Sequence, residues 1–229
     1  MVNSVSYIKN RDLLQLSKAV SQFTVGAEGN VSKRVDKGFV IKASGCSLKS
    51  LKASDLVTCK LDGTQLDNFR RRPSMEVFFH SWIYDTFDVN YIAHTHPVNV
   101  LKILCSNKIK AFSTIRLFPD QVVYNGPEYC YVPYAHPGVD LLKKLQTRVE
   151  SFVVDKGHFP NTILLQNHGI ICCGKTAKEC VFLSEICDKS AEVFAAVGMS
   201  DATCTSLTEK SIQKILKDER EHYRKDLTR

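Results

Sequence analysis

The nine cysteines of this 229-residue chain include no Cys-x-x-Cys pair. An odd, scattered set fits reduced thiols in an intracellular protein better than a disulfide framework. Cys172-Cys173 sit inside an apolar run, where cysteine acts as a small hydrophobe. No apolar run approaches the roughly 20 residues a bilayer span needs, so no membrane role is expected. Met1 to Gln15 is polar and mixed, unlike a leader peptide, which points to the cytoplasm. Without a leader, the sequon Asn30-Val31-Ser32 carries no weight. Repeats, low-complexity stretches and linkers are absent, so residues 1–229 read as one domain. The net charge is +7, yet no unmixed basic face is evident. Arg70-Arg71-Arg72 and the Lys210 to Arg229 region supply much of the excess. The C-terminal stretch interleaves acids, as in Lys217-Asp218-Glu219-Arg220-Glu221, the pattern of a solvated helix. Nucleic acid is therefore not an expected partner. A modest positive field suits a phosphorylated small molecule.

Hydropathy spacing predicts an amphipathic helix over 10–23 and a hairpin, Val31 to Val35 and Phe39 to Ile41, around Asp36-Lys37-Gly38. Leu56 to Leu61 reads as a strand. Ser74 is placed to cap a helix over 75–87. A buried strand, Val89 to Ala93, runs into His94, and a helix over 98–105 follows. Residues 111–137 read as strands and loops, with Phe118-Pro119-Asp120-Gln121 as a Pro-Asp turn. A helix over 139–154 and strands over 162–166 and 170–173 come next. Thr176 caps a long helix to about Val197, and Thr208 caps a last one to about Tyr223. Short turns between strands imply an α/β domain with an antiparallel or mixed sheet.

His94-Thr95-His96 ends the buried strand, before Pro97. Residues two apart on a strand face the same way, so the two imidazoles project into one space. Such a pair is half of a divalent-metal site, or a pair of ordinary hydrogen-bonded rings. His168, between two apolar half-strands and beside Gly169, is a candidate third nitrogen. Three imidazoles leave an open coordination position, as catalytic zinc requires. Glu76, near a helix start, either answers the helix dipole or moves a proton beside the metal. His80, one turn on, either flanks Glu76 or packs. Gly26-x-x-Gly29-Asn30-x-Ser32, Ala43-Ser44-Gly45 and Ser74 are small polar turns able to approach an anion.

In order, Gly29-Asn30-Val31-Ser32, Ala43-Ser44-Gly45, Pro73-Ser74-Met75-Glu76 with His80, His94-Thr95-His96, Pro133-Tyr134-Ala135 and Leu164-Leu165-Gln166-Asn167-His168-Gly169 resemble the class II aldolase/adducin-head family. The resemblance implies a single three-layer α/β/α domain with a central, largely antiparallel sheet. It implies Zn2+, or Mn2+, Co2+ or Fe2+, held by His94, His96 and His168, with Glu76 as acid/base and additional metal ligand. Asn30, Ser44, Gly45 and Ser74 would bind the substrate phosphate. The implied activity is retro-aldol cleavage of a phosphorylated ketose through an enediolate, in a C4 homotetramer with active sites at subunit interfaces. The chain departs from the pattern at Met75, where a second serine is usual, and at Thr114, where fuculose-phosphate aldolase has a tyrosine. Tyr223 is the counterpart of the family's C-terminal tyrosine. Asp120 lies near the second catalytic aspartate of the 4-epimerases, whose first acid is aspartate rather than Glu76. Epimerase, dehydratase and a non-catalytic adducin-like scaffold remain as alternatives.

Overall fold

The computed structural model describes residues 10–67, 70–199 and 204–227. The first nine residues of the polar N-terminal stretch and the last two of the basic C-terminal one lie outside them. Helix α1 (Arg11–Val20) leads into β1 (Asn30–Val35), β2 (Gly38–Lys42) and β3 (Leu56–Cys59). Helix α2 (Val77–Thr86), β4 (Tyr91–Thr95) and helices α3 (Val98–Leu104), α4 (Ile109–Thr114) and α5 (Pro119–Asn125) follow. Then come β5 (Cys130–Val132), α6 (Val139–Lys156), β6 (Thr162–Leu165), β7 (Gly169–Gly174) and α7 (Ala177–Met199). Helices α8 (Glu209–Leu216) and α9 (Glu219–Leu227) are the last elements among the described residues.

The strands form one sheet in the order β3-β2-β1-β4-β7-β6-β5, antiparallel except for the β5–β6 pair. Strand alternation sorts the core. Ile41, Ile92, Ile171 and Cys173 face one side, packed against Val77, Phe79 and Ile83 of α2 and Leu141, Leu145 and Val149 of α6. Ile170 and Cys172 face the other side, against α3, α4, α5 and α7, and Val31, Val40 and Ala93 meet α1 there. Helices thus cover both faces, giving the expected three layers. Each fully buried isoleucine or leucine contributes about 1.5–3 kcal/mol of apolar transfer. The cysteines serve this packing: Cys105 and Cys204 are exposed, while the other seven are buried, all as free thiols.

Four local readings are corrected. Residues 109–125 form α4 and α5 rather than strands, and Pro119 occupies the first turn of α5, where a missing N–H costs nothing. Asp120 therefore sits in a helix, not a Pro-Asp turn. Ser74 does not cap α2. Its N–H is bonded to Lys42 O, and a turn from Ser74 O to Val77 N (3.0 Å) delays the helix, leaving Glu76 at the N-cap. The last helix is split, because Asp218 Oδ1 accepts from Arg220 N (3.0 Å) and starts α9 afresh. Strand β3 ends at Cys59, since Lys60 N turns to Thr64 O.

Candidate metal centre and anion pocket

Antiparallel pairing brings several strand ends to one edge of the sheet. Asn30 begins β1 directly across from His94, which lies opposite Ile171 in β7. Lys42 ends β2, and the β6–β7 turn carries His168 at the same edge. That turn spans three residues, and Asn167 adopts φ 54°, the left-handed conformation asparagine tolerates. Gly29 and Gly169 allow the close approach. At Gly29, with φ +64°, a Cβ would stand 2.6 Å from His94 O. At Gly169 a Cβ would fall 2.5 Å from both Thr95 O and His96 Cδ2. No side chain larger than hydrogen fits either place without moving a histidine-bearing strand.

His94, His96 and His168 converge, with one ligand nitrogen from each within 4.8 Å of the others. His94 Nδ1 lies 2.9 Å from Ile170 O, which can only accept. Nδ1 therefore carries the proton in the neutral ring, and Nε2 presents a lone pair. His96 Nε2 is 3.1 Å from it. The Glu76 carboxylate bridges the cluster, with Oε2 3.3 Å from His94 Nε2 and Oε1 3.2 Å from His168 Nε2. Burial pushes the His94 ring below its ordinary pKa and brings His96 down to about 4, helped by the neighbouring imidazoles. Burial alone would raise the Glu76 carboxyl; His94, His168 and the Asn30 amide outweigh it and hold it below the usual carboxylate range. Three ring nitrogens and a carboxylate that favours its ionised form thus share one confined space. That is an electron-rich cluster whose natural complement is a cation, and its three nitrogens and one carboxylate suit zinc and several neighbouring metals.

A cavity of about 450 Å³ opens onto this cluster, lined by Glu76, His96 and His168 together with Asn30, Ser44, Gly45 and Ser74. The structure thus brings together all the sequence-derived metal and phosphate candidates except His94, which lies buried just behind. Asn30 is differently employed than the anion reading implies: its Nδ2 donates to Glu76 Oε2 (2.7 Å) and Ser74 Oγ (3.1 Å), so its donors are engaged within the protein. Lys42 was missed by sequence reasoning. It lines the cavity, almost wholly buried, and its ammonium donates to Ala27 O (3.0 Å) and Cys46 O (2.5 Å). Burial lowers its pKa. A lysine closing an otherwise apolar strand was the available signal. Met75 lines the rim with its side chain 80% exposed.

Asp120 and Tyr223 do not line this cavity. Asp120 pairs with Arg224 of α9 at 2.5 Å, and Tyr223 on the same helix is exposed. Thr114 lies at the end of α4, beside a different groove. His80, read as flanking or packing, is wholly buried behind Asn30.

The class II aldolase and adducin N-terminal domain model matches residues 13–195. The L-fuculose phosphate aldolase of Methanococcus maripaludis (strain C7 / ATCC BAA-1331) is 27% identical over 191 residues, covering 82% of this chain and 94% of that protein. The 3-oxo-tetronate 4-phosphate decarboxylase of Escherichia coli (strain K12) is 26% identical over 178 residues, 77% of this chain and 80% of that protein. A solved L-fuculose 1-phosphate aldolase superposes with a TM-score of 0.77 at 18% identity, covering 96% of this chain and 98% of that one. That last likeness concerns the fold.

Proposed function

Since the chain belongs to the class II aldolase and adducin N-terminal domain family, we propose that it is a divalent-metal-dependent lyase that cleaves a phosphorylated ketose by a retro-aldol reaction. The observation that carries this reading is the shared cavity. Three imidazoles and an ionised carboxylate meet at one wall, and Ser44, Gly45, Ser74 and Lys42 line the same space. Polar small residues and a buried cation suit a phosphate.

His94, His96 and His168 would hold the metal, with Glu76 as a further ligand. A divalent cation there supplies Lewis-acid stabilisation of charge developing on the substrate oxygens. Glu76, ionised beside that position, takes the proton of the hydroxyl at the scissile bond. The carbon–carbon bond then breaks, its electron pair stays with the ketone fragment as an enediolate, and an aldehyde departs. The protonated carboxyl returns the proton to carbon, so the sum is one ketose phosphate to one aldehyde and one smaller ketone phosphate. Asn30, bonded to Oε2, steadies the carboxylate.

The chain acts as one domain over residues 1–229 and as a C4 homotetramer in the cytoplasm. Tyr223 would serve a neighbouring subunit's cavity, and Asp120 would take a catalytic part only in the epimerase alternative. Among the described residues, no helix is long and apolar enough to cross a membrane.

The deciding experiment assays a panel of ketose phosphates with and without chelator, scoring aldehyde, carbon dioxide, dehydrated product and epimer. Aldehyde release that chelator abolishes and zinc or manganese restores is expected. Carbon dioxide, dehydration or epimer as the main product would move the assignment to another branch of the family. No metal binding after reconstitution, with no turnover, would leave the scaffold reading.

A further inference from the structure

His80 lies on α2, one turn after Glu76, and is 0% exposed. Both ring nitrogens are engaged. Nδ1 is 2.7 Å from Ser32 Oγ, and Nε2 is 2.5 Å from Asn30 Oδ1. The ring stacks on Phe79 at 4.6 Å between centroids, so it cannot turn freely. Ser32 Oγ also meets Tyr84 OH at 2.7 Å. On the far side of Asn30, Nδ2 reaches Ser74 Oγ and Glu76 Oε2. The chain Tyr84–Ser32–His80–Asn30–Glu76 therefore runs unbroken from the core to the carboxylate.

Only one arrangement of protons satisfies all of these contacts. If His80 Nδ1 carried the proton, Nε2 would be a bare acceptor and Asn30 would have to turn its NH2 toward it. Its carbonyl would then face the Glu76 carboxylate at 2.7 Å, two acceptors in contact. With the proton on Nε2, every group has a partner. Tyr84 OH donates to Ser32, Ser32 OH to His80 Nδ1, His80 Nε2–H to Asn30 Oδ1, and the Asn30 amide to Glu76 and Ser74. A doubly protonated ring is disfavoured by complete burial, which lowers the His80 pKa to about 3.

We propose that His80, as the Nε2–H tautomer, is a positioning residue that sets the direction of the Asn30 amide and through it pins Oε2 of Glu76, leaving Oε1 as the oxygen that exchanges a proton with substrate. This rests on Glu76 being the proton-moving carboxylate. His80 touches neither substrate nor metal. It acts by removing a choice: an asparagine amide is nearly symmetric in shape, and only its hydrogen-bond partners decide which end faces the carboxylate.

The test compares His80→Leu and His80→Gln in the metal-loaded chain. Glutamine offers an N–H near the place of Nε2; leucine offers none. Leucine should lower kcat roughly 10–100-fold with KM little changed, the range typical when a partner behind a reacting or ligating group is lost. Glutamine should recover most of that loss, although a buried polar replacement melts no higher than the leucine variant. Equal kcat in the two variants, or activity that simply follows melting temperature, overturns the proposal. Two measurements on the metal-free chain need no substrate, and they decide the matter even if the panel assay finds no turnover. Nitrogen NMR of labelled histidines should show His80 as the Nε2–H tautomer, its signals assigned by their loss in His80→Gln. A crystal structure of His80→Leu should show Asn30 and Glu76 Oε2 parted. The Nδ1–H tautomer in the wild-type chain, or an unmoved Asn30–Glu76 contact in the variant, rejects the idea independently of the proposed reaction.

Discussion

The histidine cluster and the C-terminal arm are built in contrasting ways. At the cluster, sheet register sets the spacing: Asn30 faces His94 across β1–β4, and His168 closes the β6–β7 turn. The side chains are then locked by buried hydrogen bonds, His94 to Ile170 O and Asn30 to Glu76 and His80. On the arm, α9 has no buried residue and meets α5 through the Arg224–Asp120 ion pair and Lys225 to Val123 O. Rigid, desolvated geometry suits groups that must meet an ion and a reacting bond within tenths of an ångström. A solvated helix held by one half-exposed ion pair and one bond to a carbonyl is fixed far less tightly.

The contrast can be broken most severely at Glu76. Glu76→Gln should cost about 10²–10⁴ in kcat, the range for a lost acid/base, with the metal retained; steady-state kinetics and elemental analysis check both halves. Next is Gly169→Ala, whose Cβ would meet Thr95 O and His96 Cδ2 at 2.5 Å. Displacing His96 should weaken metal binding roughly 10-fold or more and destabilise the chain by about 1–3 kcal/mol. Chelator competition and denaturant melts measure the two.

A smaller effect should appear on acidification. His80 is held neutral when folded, its pKa lowered by burial to about 3, while an unfolded histidine titrates near 6.5. The unfolded chain therefore binds more protons below that value, and stability falls as pH drops from about 6.5 toward 3. At pH 5 the loss from this one ring is about 2 kcal/mol relative to pH 7. Denaturant melts of metal-free protein should show a shallower fall in His80→Gln than in wild type. The smallest change is expected on the arm. Asp120→Asn removes a half-exposed ion pair and should alter stability by less than about 1 kcal/mol. It should leave aldehyde release intact, whereas selective loss of epimer formation would restore Asp120 to a catalytic role.

The strands around the site were readable because alternation is local. Val89 to His94 shows its buried face in the sequence, and His94-x-His96 its common direction. The short helices α4 and α5 were not, since six or seven residues carry too little periodicity to separate helix from strand. Pro119 was the one cue. Ser74 misled for a related reason: a capping residue type is only an offer, and its backbone bond with Lys42 made a turn first. Lys42 was invisible as a site residue, and His80 was legible only as a flanking or packing histidine, because the importance of both lies in burial. A lysine at a strand end and a histidine on a helix are ordinary in sequence.

From the sequence alone came the chemical inventory: three histidines, one glutamate, the small polar turns, and the alternation that gives each strand two faces. Tertiary structure decided which members of that inventory meet. Antiparallel pairing brought residues 64 positions apart, Asn30 and His94, into direct opposition. It also spent the Asn30 amide on Glu76 instead of leaving it free for an anion, and it put His80 behind that amide. Composition and periodicity act over a few residues. The direction of a hydrogen bond between distant strands and helices depends on what else is buried beside it, and only the folded chain determines that.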